Sequence, residues 1–328
     1  MYVCIHIQLI INRNLIFQHT MNIQQLEYIL AVDKFHHFAK AAENCRVTQP
    51  TLSAMIQKLE DELGLKLFDR NMQPVEATQA GRKIIEQARK VLFEISLIKD
   101  IAEEEKMSVK GSFHLAVLPT IAPYLLPRFF HQLTEKNVEL DIRVLEMKSA
   151  QALMALQRGE IDAAILANKP VELQLKAETL YYEQFFGYVS RNEPIFKKNL
   201  IRTSDIDGER LWLLDEGHCF RDQFMRFCQM DKVKIRQATY RLGSMETFMR
   251  MVESGNGVTF IPELATLQLS DEQKKLVRPF AIPRPTREIT FITRKDFIRN
   301  TIADIIKKGI KDSIPNEMLT LSPGLKIV

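Results

Sequence analysis

Three short apolar stripes open the patterned part of the chain. Ile23, Leu26, Ile29 and Leu30 recur at helical spacing, and Phe38, Ala41, Ala42 and Cys45 form a second set. Phe35-His36-His37 is the break between them. A third helix is predicted from Val47-Thr48-Gln49-Pro50, where Thr48 suits an N-cap and Pro50 is tolerated in a first turn. Leu52, Met55, Ile56, Leu59 and Leu63 then make an apolar stripe that Gly64 ends. The opposite face carries Gln49, Pro50, Ser53, Ala54 and Gln57, small and amide side chains suited to reading base edges in a major groove. Leu67 to Arg70, Pro74 and Val75 to Gly81 suit a two-stranded wing. The same pattern also fits a generic three-helix domain with a solvated polar face.

Residues 79–106 contain no proline, and their one glycine lies near the start. Ile84, Ala88, Val91, Ile95, Ile98 and Ala102 are spaced 4-3-4-3-4, a heptad seam on which two chains would pair. Packing onto the chain's own core is the alternative. From Gly111 onward strand and helix patterns alternate. Strands are predicted at Leu115–Leu118, Leu140–Leu145, Ile161–Leu166, Leu211–Leu214, Gly257–Ile261 and Arg287–Thr293. Helices are predicted within 119–136, from a Ser149 cap to Gly159, from a Ser244 cap over Met245 to Ser254, and over 295–310. This reads as α/β with largely parallel sheets and two lobes around a cleft. Met245, Phe248, Met249 and Met251 fall at helical spacing and read as core rather than as a metal or substrate box.

Composition narrows the class. At 328 residues the chain has room for two or three domains, and 46% apolar content supports packed cores. No apolar run reaches the ~20 residues of a membrane span, so no membrane partner is expected. Four scattered cysteines do not make a secreted disulfide framework and point to a reducing, cytoplasmic compartment. Residues 1–20 are apolar but broken by polar side chains, and read as a start-site artefact or a disordered leader. No phosphate-cradling glycine loop, HExxH or GxSxG occurs, and neither a cofactor nor a resident metal is expected. Residues 21–78 hold six Lys and Arg against eight Asp and Glu, a net of −2. A DNA-binding module is usually basic, so affinity must come from charge placement and dimerisation.

The densest chemistry lies in Gly217 to Cys228, where Cys219 and Cys228 stand nine positions apart. Phe220, Phe224 and Phe227 mark this stretch as helical. Nine steps at ~1.5 Å place the two Cα atoms ~13 Å apart, whereas a disulfide needs them within roughly 7 Å. The two thiols can pair only if the helix unwinds. His218, Arg221 and a helix start at Gly217 favour a reactive thiolate at Cys219, while Asp215, Glu216 and Asp222 oppose it. The residues alone leave three readings open: a redox pair, two buried structural cysteines, or a site with His218 as a metal ligand.

Several motifs together resemble a known family. Ala39-Lys40-Ala41-Ala42, Thr48 to Ser53, Leu59-Glu60-Asp61-Glu62-Leu63-Gly64, Leu67 to Arg70 and Thr78 to Gly81 are similar to the winged helix-turn-helix of LysR-type transcriptional regulators. Gly159 to Ala163, and Gly255-Asn256-Gly257-Val258 with Pro262, extend the resemblance to about residues 21–310. Leu118 to Pro127, and Gly217 to Gln223 with Cys228, resemble the peroxide-sensing OxyR branch of that family.

The resemblance implies a winged helix-turn-helix at 21–78, a dimerising linker helix at 79–108 and a two-lobed, periplasmic-binding-protein-like α/β effector domain at 111–312. Lobe I would comprise about 111–181 plus 286–312, lobe II about 182–285, and 313–328 a tail. Gln49, Pro50, Thr51, Ser53 and Gln57 would lie near promoter DNA, with Arg70 in the wing. The wing's Asn71-Met72-Gln73 lacks a basic residue common there, which weakens phosphate contact. Cys219 would be the peroxidatic thiol and Cys228 the resolving one. Thr120 and His218 would orient hydrogen peroxide, Arg287 would activate, and Asp222 would assist. Ser149 stands where the family usually has Thr. A homodimer or homotetramer and contact with RNA polymerase are also implied. Competing expectations are a LysR-type sensor of a small metabolite and a thiol peroxidase. The DNA-reading front end argues against an enzyme.

Overall fold

Asn22 and Gln25 cap each other at the start of helix α1 (Ile23–Phe35): each side-chain oxygen accepts the other's backbone N–H at 2.9 Å. The computed structural model describes residues 21–170, 172–214, 219–228 and 244–328. The expected leader at 1–20 and the residues Asp215 to His218 lie outside these. The chain divides into two units between Lys99 and Asp100.

In the first unit, α1 ends at His36, whose left-handed backbone (φ 50°) makes the expected break before α2 (Phe38–Asn44). Thr48 caps α3 (Gln49–Leu63), Pro50 sits in its first turn, and Gly64 closes it at φ 66°. Ile29, Val32, Ala41, Leu52, Ile56, Leu59 and Leu67 bury one common core. The wing is two short antiparallel strands, β1 (Phe68–Asp69) and β2 (Glu76–Ala77). Helix α4 (Gln79–Glu105) follows. A Cβ on Gly81 would fall 2.0 Å from the Leu67 carbonyl oxygen, so this close approach needs glycine. Ile85 and Ala88 of α4 are buried in this unit's core, whereas Val91 and Ile98 remain 38% and 67% exposed.

The second unit is built from β3 (Gly111–Val117), α5 (Ala122–Lys136), β4 (Leu140–Glu146), α6 (Ser149–Gln157), β5 (Ala163–Leu166) and β6 (Leu175–Val189). Then come α7 (Cys219–Cys228), α8 (Met245–Glu253), β7 (Val258–Pro262), α9 (Glu263–Thr266), α10 (Asp271–Lys274), β8 (Val277–Pro279), β9 (Arg284–Arg294), α11 (Asn300–Ser313) and β10 (Leu325–Ile327). The principal strand order is β4-β3-β5-β9-β6-β7. Strand β3 is parallel to β4 on one side and to β5 on the other, so the chain reverses its winding across β3. Loops at the carboxyl ends of such strands open a crevice suited to a site.

The expected largely parallel sheet is corrected to a mixed one. β9 runs antiparallel to β5 and β6, and β6 runs antiparallel to β7 and β8. β6 pairs with β9 as far as Gln184 and with β7 from Phe185, so this one strand joins the two sets of pairings. The expected strand at Leu211–Leu214 is a single bridge from Leu211 to Val258. The Trp212 ring there stacks on Phe248, and its Nε1 donates to Asn256 O at 3.1 Å. Residues after Ser313 carry β10, parallel to β9. Met245, Phe248 and Met249 are buried, as their spacing implied. The end of α4 is fastened within this unit, where Glu104 accepts the Thr301 N–H at 3.0 Å and its hydroxyl at 3.0 Å. Among the described residues no helix is long and apolar enough to cross a membrane.

Candidate redox site and DNA-reading face

Cys219 is the first residue of α7, and Cys228 is its last; both are free thiols. One unbroken ten-residue helix therefore separates them, as the phenylalanine spacing implied. Phe220 and Phe224 are buried, and the Phe224 ring stacks on Phe260 with Phe280 beside it. Phe227 meets Phe280 edge-on. Burial pushes the Cys228 thiol up to about 12, so it holds its proton at neutral pH. With their Cα atoms ~13 Å apart along a helix, the two thiols also cannot share one zinc ion at ~2.3 Å each.

Of the residues expected around Cys219, Ser149 touches it, while Thr120 and Arg287 pair with each other beside the neighbouring Phe220. Ser149 Oγ lies 2.6 Å from Cys219 Sγ. Ser149 does not cap its helix as expected: Lys148 holds the N-cap position, and the hydroxyl turns to the cysteine sulfur instead. Thr120, in the loop after β3, is buried and receives Arg287 twice, Nη1 on Oγ1 at 3.1 Å and Nη2 on the carbonyl at 3.0 Å. The Arg287 guanidinium lies 5.0 Å from the ring centre of Phe220, the neighbour of Cys219. Asp222 is exposed on α7, and His218 falls outside the described residues.

Sequence reasoning missed Glu183. It faces Arg287 from β6, with Nε 2.8 Å and Nη2 2.7 Å from Oε2, and each side chain is 1% exposed. Its other oxygen accepts the Leu264 N–H at 3.1 Å. A usable signal existed in Tyr181, Glu183 and Phe185, which alternate onto a buried face of the strand and so place a carboxylate among core residues. Gln223 was also missed; it is buried and donates to Ala167 O at 2.7 Å.

On the first unit, Gln49, Pro50 and Thr51 are exposed at the start of α3, with Ser53 and Gln57 half-buried along it. Thr51 shares a hydroxyl contact of 2.8 Å with Thr48. Gln57 donates to Asp61 at 2.6 Å and accepts from Lys66 at 3.0 Å. Arg70 reaches Ser53 Oγ at 2.9 Å and Glu60 at 3.4 Å. Glu60 is buried, takes the Leu67 N–H at 2.7 Å and pairs with Lys66 at 3.2 Å. One of the eight acidic residues behind the −2 count thus ties the wing to α3 and contributes nothing to an exposed surface.

Residues 23–82 match the bacterial regulatory helix-turn-helix protein family of lysR type, and residues 107–306 match the LysR substrate binding domain. A hydrogen peroxide-inducible genes activator of Haemophilus influenzae is 33% identical over 307 residues, 93% of this chain and 100% of that protein. The DNA-binding transcriptional dual regulator OxyR of Escherichia coli K12 is 35% identical over 274 residues, 84% of this chain and 90% of that one. The chain belongs to the OxyR branch of the LysR family. It is therefore a DNA-binding regulator, and the matched helix-turn-helix residues 23–82 contain α1 to α3 and the wing. The crystal structure of OxyR from Porphyromonas gingivalis is 50% identical and covers 66% of this chain and 99% of its own, with a TM-score of 0.63. A full-length OxyR variant from Pseudomonas aeruginosa is 32% identical and covers 90% of this chain and 99% of its own, with a TM-score of 0.73. In this LysR-family chain the thiol helix, β3 loop and β9 arginine all fall in the effector unit.

Proposed function

We propose that this regulator senses hydrogen peroxide through a reversible Cys219–Cys228 disulfide and converts that bond into altered transcription. The observation that carries the reading is the Cys219 surround: Ser149 Oγ at 2.6 Å, with Thr120 and Arg287 bonded together behind Phe220. The names of its relatives, hydrogen peroxide-inducible genes activators, point the same way.

The chemistry runs in two balanced steps. The Cys219 thiolate attacks one peroxide oxygen, the O–O bond breaks, and the departing hydroxide takes a proton to leave as water. Sulfur is oxidised to a sulfenic acid. Cys228 then attacks that sulfur, the S–O bond breaks, and a second water leaves with the disulfide. Ser149 donates to the thiolate, Thr120 orients the peroxide and Arg287 activates through its bonds to Thr120; His218 and Asp222 complete the set on the family pattern. The second step requires α7 to unwind, because its helical rise keeps the Cα atoms roughly twice as far apart as a disulfide permits. Unwinding withdraws Phe224 or Phe227 from Phe260 and Phe280 and repacks the lobe, whose boundaries we place near 181/182 and 285/286.

On the DNA side Gln49, Pro50, Thr51, Ser53 and Gln57 read the operator, and Arg70 steadies the wing against phosphate. Dimerisation proceeds through the exposed half of the α4 seam, with a tetramer and RNA polymerase contact following the family pattern in the cytoplasm. The test is addition of stoichiometric peroxide followed by peptide mass analysis and promoter footprinting. A Cys219–Cys228 peptide and a shifted footprint are expected. A Cys219→Ser variant that still responds would discard the reading in favour of metabolite sensing.

A further inference from the structure

Arginine has five N–H donors and no acceptor. In the Arg287–Thr120 bond at 3.1 Å the hydroxyl oxygen is therefore the acceptor, and its one hydrogen is left to donate elsewhere. That polarity depends on where the guanidinium is held. Glu183 Oε2 takes both Nε and Nη2, at 2.8 and 2.7 Å, while the Leu264 N–H holds the other carboxylate oxygen at 3.1 Å. Arg287 and Glu183 are both 1% exposed, so solvent does not substitute for either partner. Glu183 also stands where β6 is about to change partners, two residues before Phe185 joins β7.

We propose that Glu183 is a positioning residue for the peroxide reaction: by fixing Arg287 it turns the Thr120 hydroxyl into a hydrogen-bond donor toward peroxide bound at Cys219. This rests on the peroxide-sensing reading above. A donor aimed at the oxygen that leaves stabilises the negative charge growing there as the O–O bond breaks. The guanidinium itself reaches this point already neutralised by Glu183. Its contribution is orientation rather than a free positive charge.

The experiment uses the full chain with Cys228→Ser, which isolates sulfenic acid formation. Two rates are measured at Cys219: oxidation by hydrogen peroxide, and alkylation by iodoacetamide, which needs the thiolate but no aligned donor. Their ratio removes any change in thiolate fraction. Glu183→Gln should lower the ratio tenfold or more. In a Thr120→Val background the same change should lower it no further, because both act through one hydroxyl. Glu183→Asp keeps the charge but withdraws the carboxylate by one methylene, and should lower the ratio severalfold; it carries the test if Glu183→Gln does not fold. A ratio unchanged in either folded variant overturns the proposal, as does a loss that multiplies with that of Thr120→Val. Failure of Cys219 to react with peroxide in the parent chain would instead remove the sensing reading itself.

Discussion

The hydroxyl of Ser149 and the sulfur of Cys219 stand 2.6 Å apart, although 70 residues separate them in the chain. Helix α6 presents its first residue to the first residue of α7. A hydroxyl in that position donates to the sulfur once it is a thiolate, and hydrogen bonds to charged groups contribute about 1.5–3 kcal/mol. Ser149→Ala should therefore slow peroxide oxidation of Cys219 by about tenfold or more. Stopped-flow oxidation in a Cys228→Ser background checks this. Equal rates would show that the contact is passive. Ser149→Thr keeps the hydroxyl and should keep most of the rate.

Cys228 gives a pH dependence with a definite sign. Its thiol is pushed up to about 12 by burial, from about 8.5 for a free cysteine. The folded chain thus holds this proton more tightly than the unfolded chain does. Its contribution to stability is complete below about pH 8.5 and declines as pH rises toward about 12. Urea midpoints of the reduced protein should fall between about pH 8.5 and 10.5, and Cys228→Ala should flatten that decline. A decline of the same slope in Cys228→Ala would assign it to other groups.

These two residues also show where the sequence was legible. Helices α1 to α3 and their caps rest on local chemistry: Thr48 before a proline, Gly64 after the stripe, and His36-His37 at the break. Helix α7 followed from three phenylalanines. Ser149 obeyed the same local rule for a cap, yet its hydroxyl found a better partner across the fold. Strand β6 was missed because a register shift between Thr179 and Tyr181 breaks its alternation, and because Lys176, Glu178 and Glu183 make it look exposed. Glu183 acquires meaning only from Arg287, 104 residues later. The antiparallel pairing of β9 was hidden for the same reason, since no short window contains both strands.

Glu60 illustrates a charge that composition misread. Its carboxylate satisfies Leu67 N–H at 2.7 Å and Phe68 N–H at 3.4 Å while facing Lys66 and Arg70. Glu60→Ala strands the two backbone donors of the wing root and should destabilise the DNA-binding unit by about 2–4 kcal/mol. Urea denaturation of the full chain, followed through this unit by hydrogen exchange, provides the measurement. Loss of wing protection before that of β3 or β9 is the expected pattern.

Gln49 differs from its neighbours in being exposed without a described side-chain partner within the domain, whereas Gln57 is already engaged by Asp61 and Lys66. Removing a base-edge contact typically costs about 1–3 kcal/mol. Gln49→Ala should weaken specific operator binding by roughly 5- to 150-fold and leave the salt slope unchanged. Gln57→Ala should leave Lys66 paired with Glu60 and act more weakly on base discrimination. Anisotropy titrations at several salt concentrations separate the two, and a salt slope altered by Gln49→Ala would count against a base contact.

The α4 seam provides the test of assembly. Its first half is already occupied, since Ala88 is buried and Ile84 packs half-buried against the core of the same chain. Its second half is not, for Val91 is 38% and Ile98 is 67% exposed. Isolated apolar side chains on a surface are ordinary, but two at heptad spacing on one helix form a stripe that a second copy would cover. Burying both Ile98 side chains of a dimer would contribute about 3–6 kcal/mol. Ile98→Glu brings two carboxylates together at that seam and should shift the mass measured by light scattering toward the monomer. Operator affinity should fall with it, because the second half-site is no longer held by the same particle. Lys99→Glu, a neighbouring exposed position off the heptad seam, controls for net charge and should leave the mass unchanged. Should Ile98→Glu keep the parental mass, the exposed stripe is not an assembly seam.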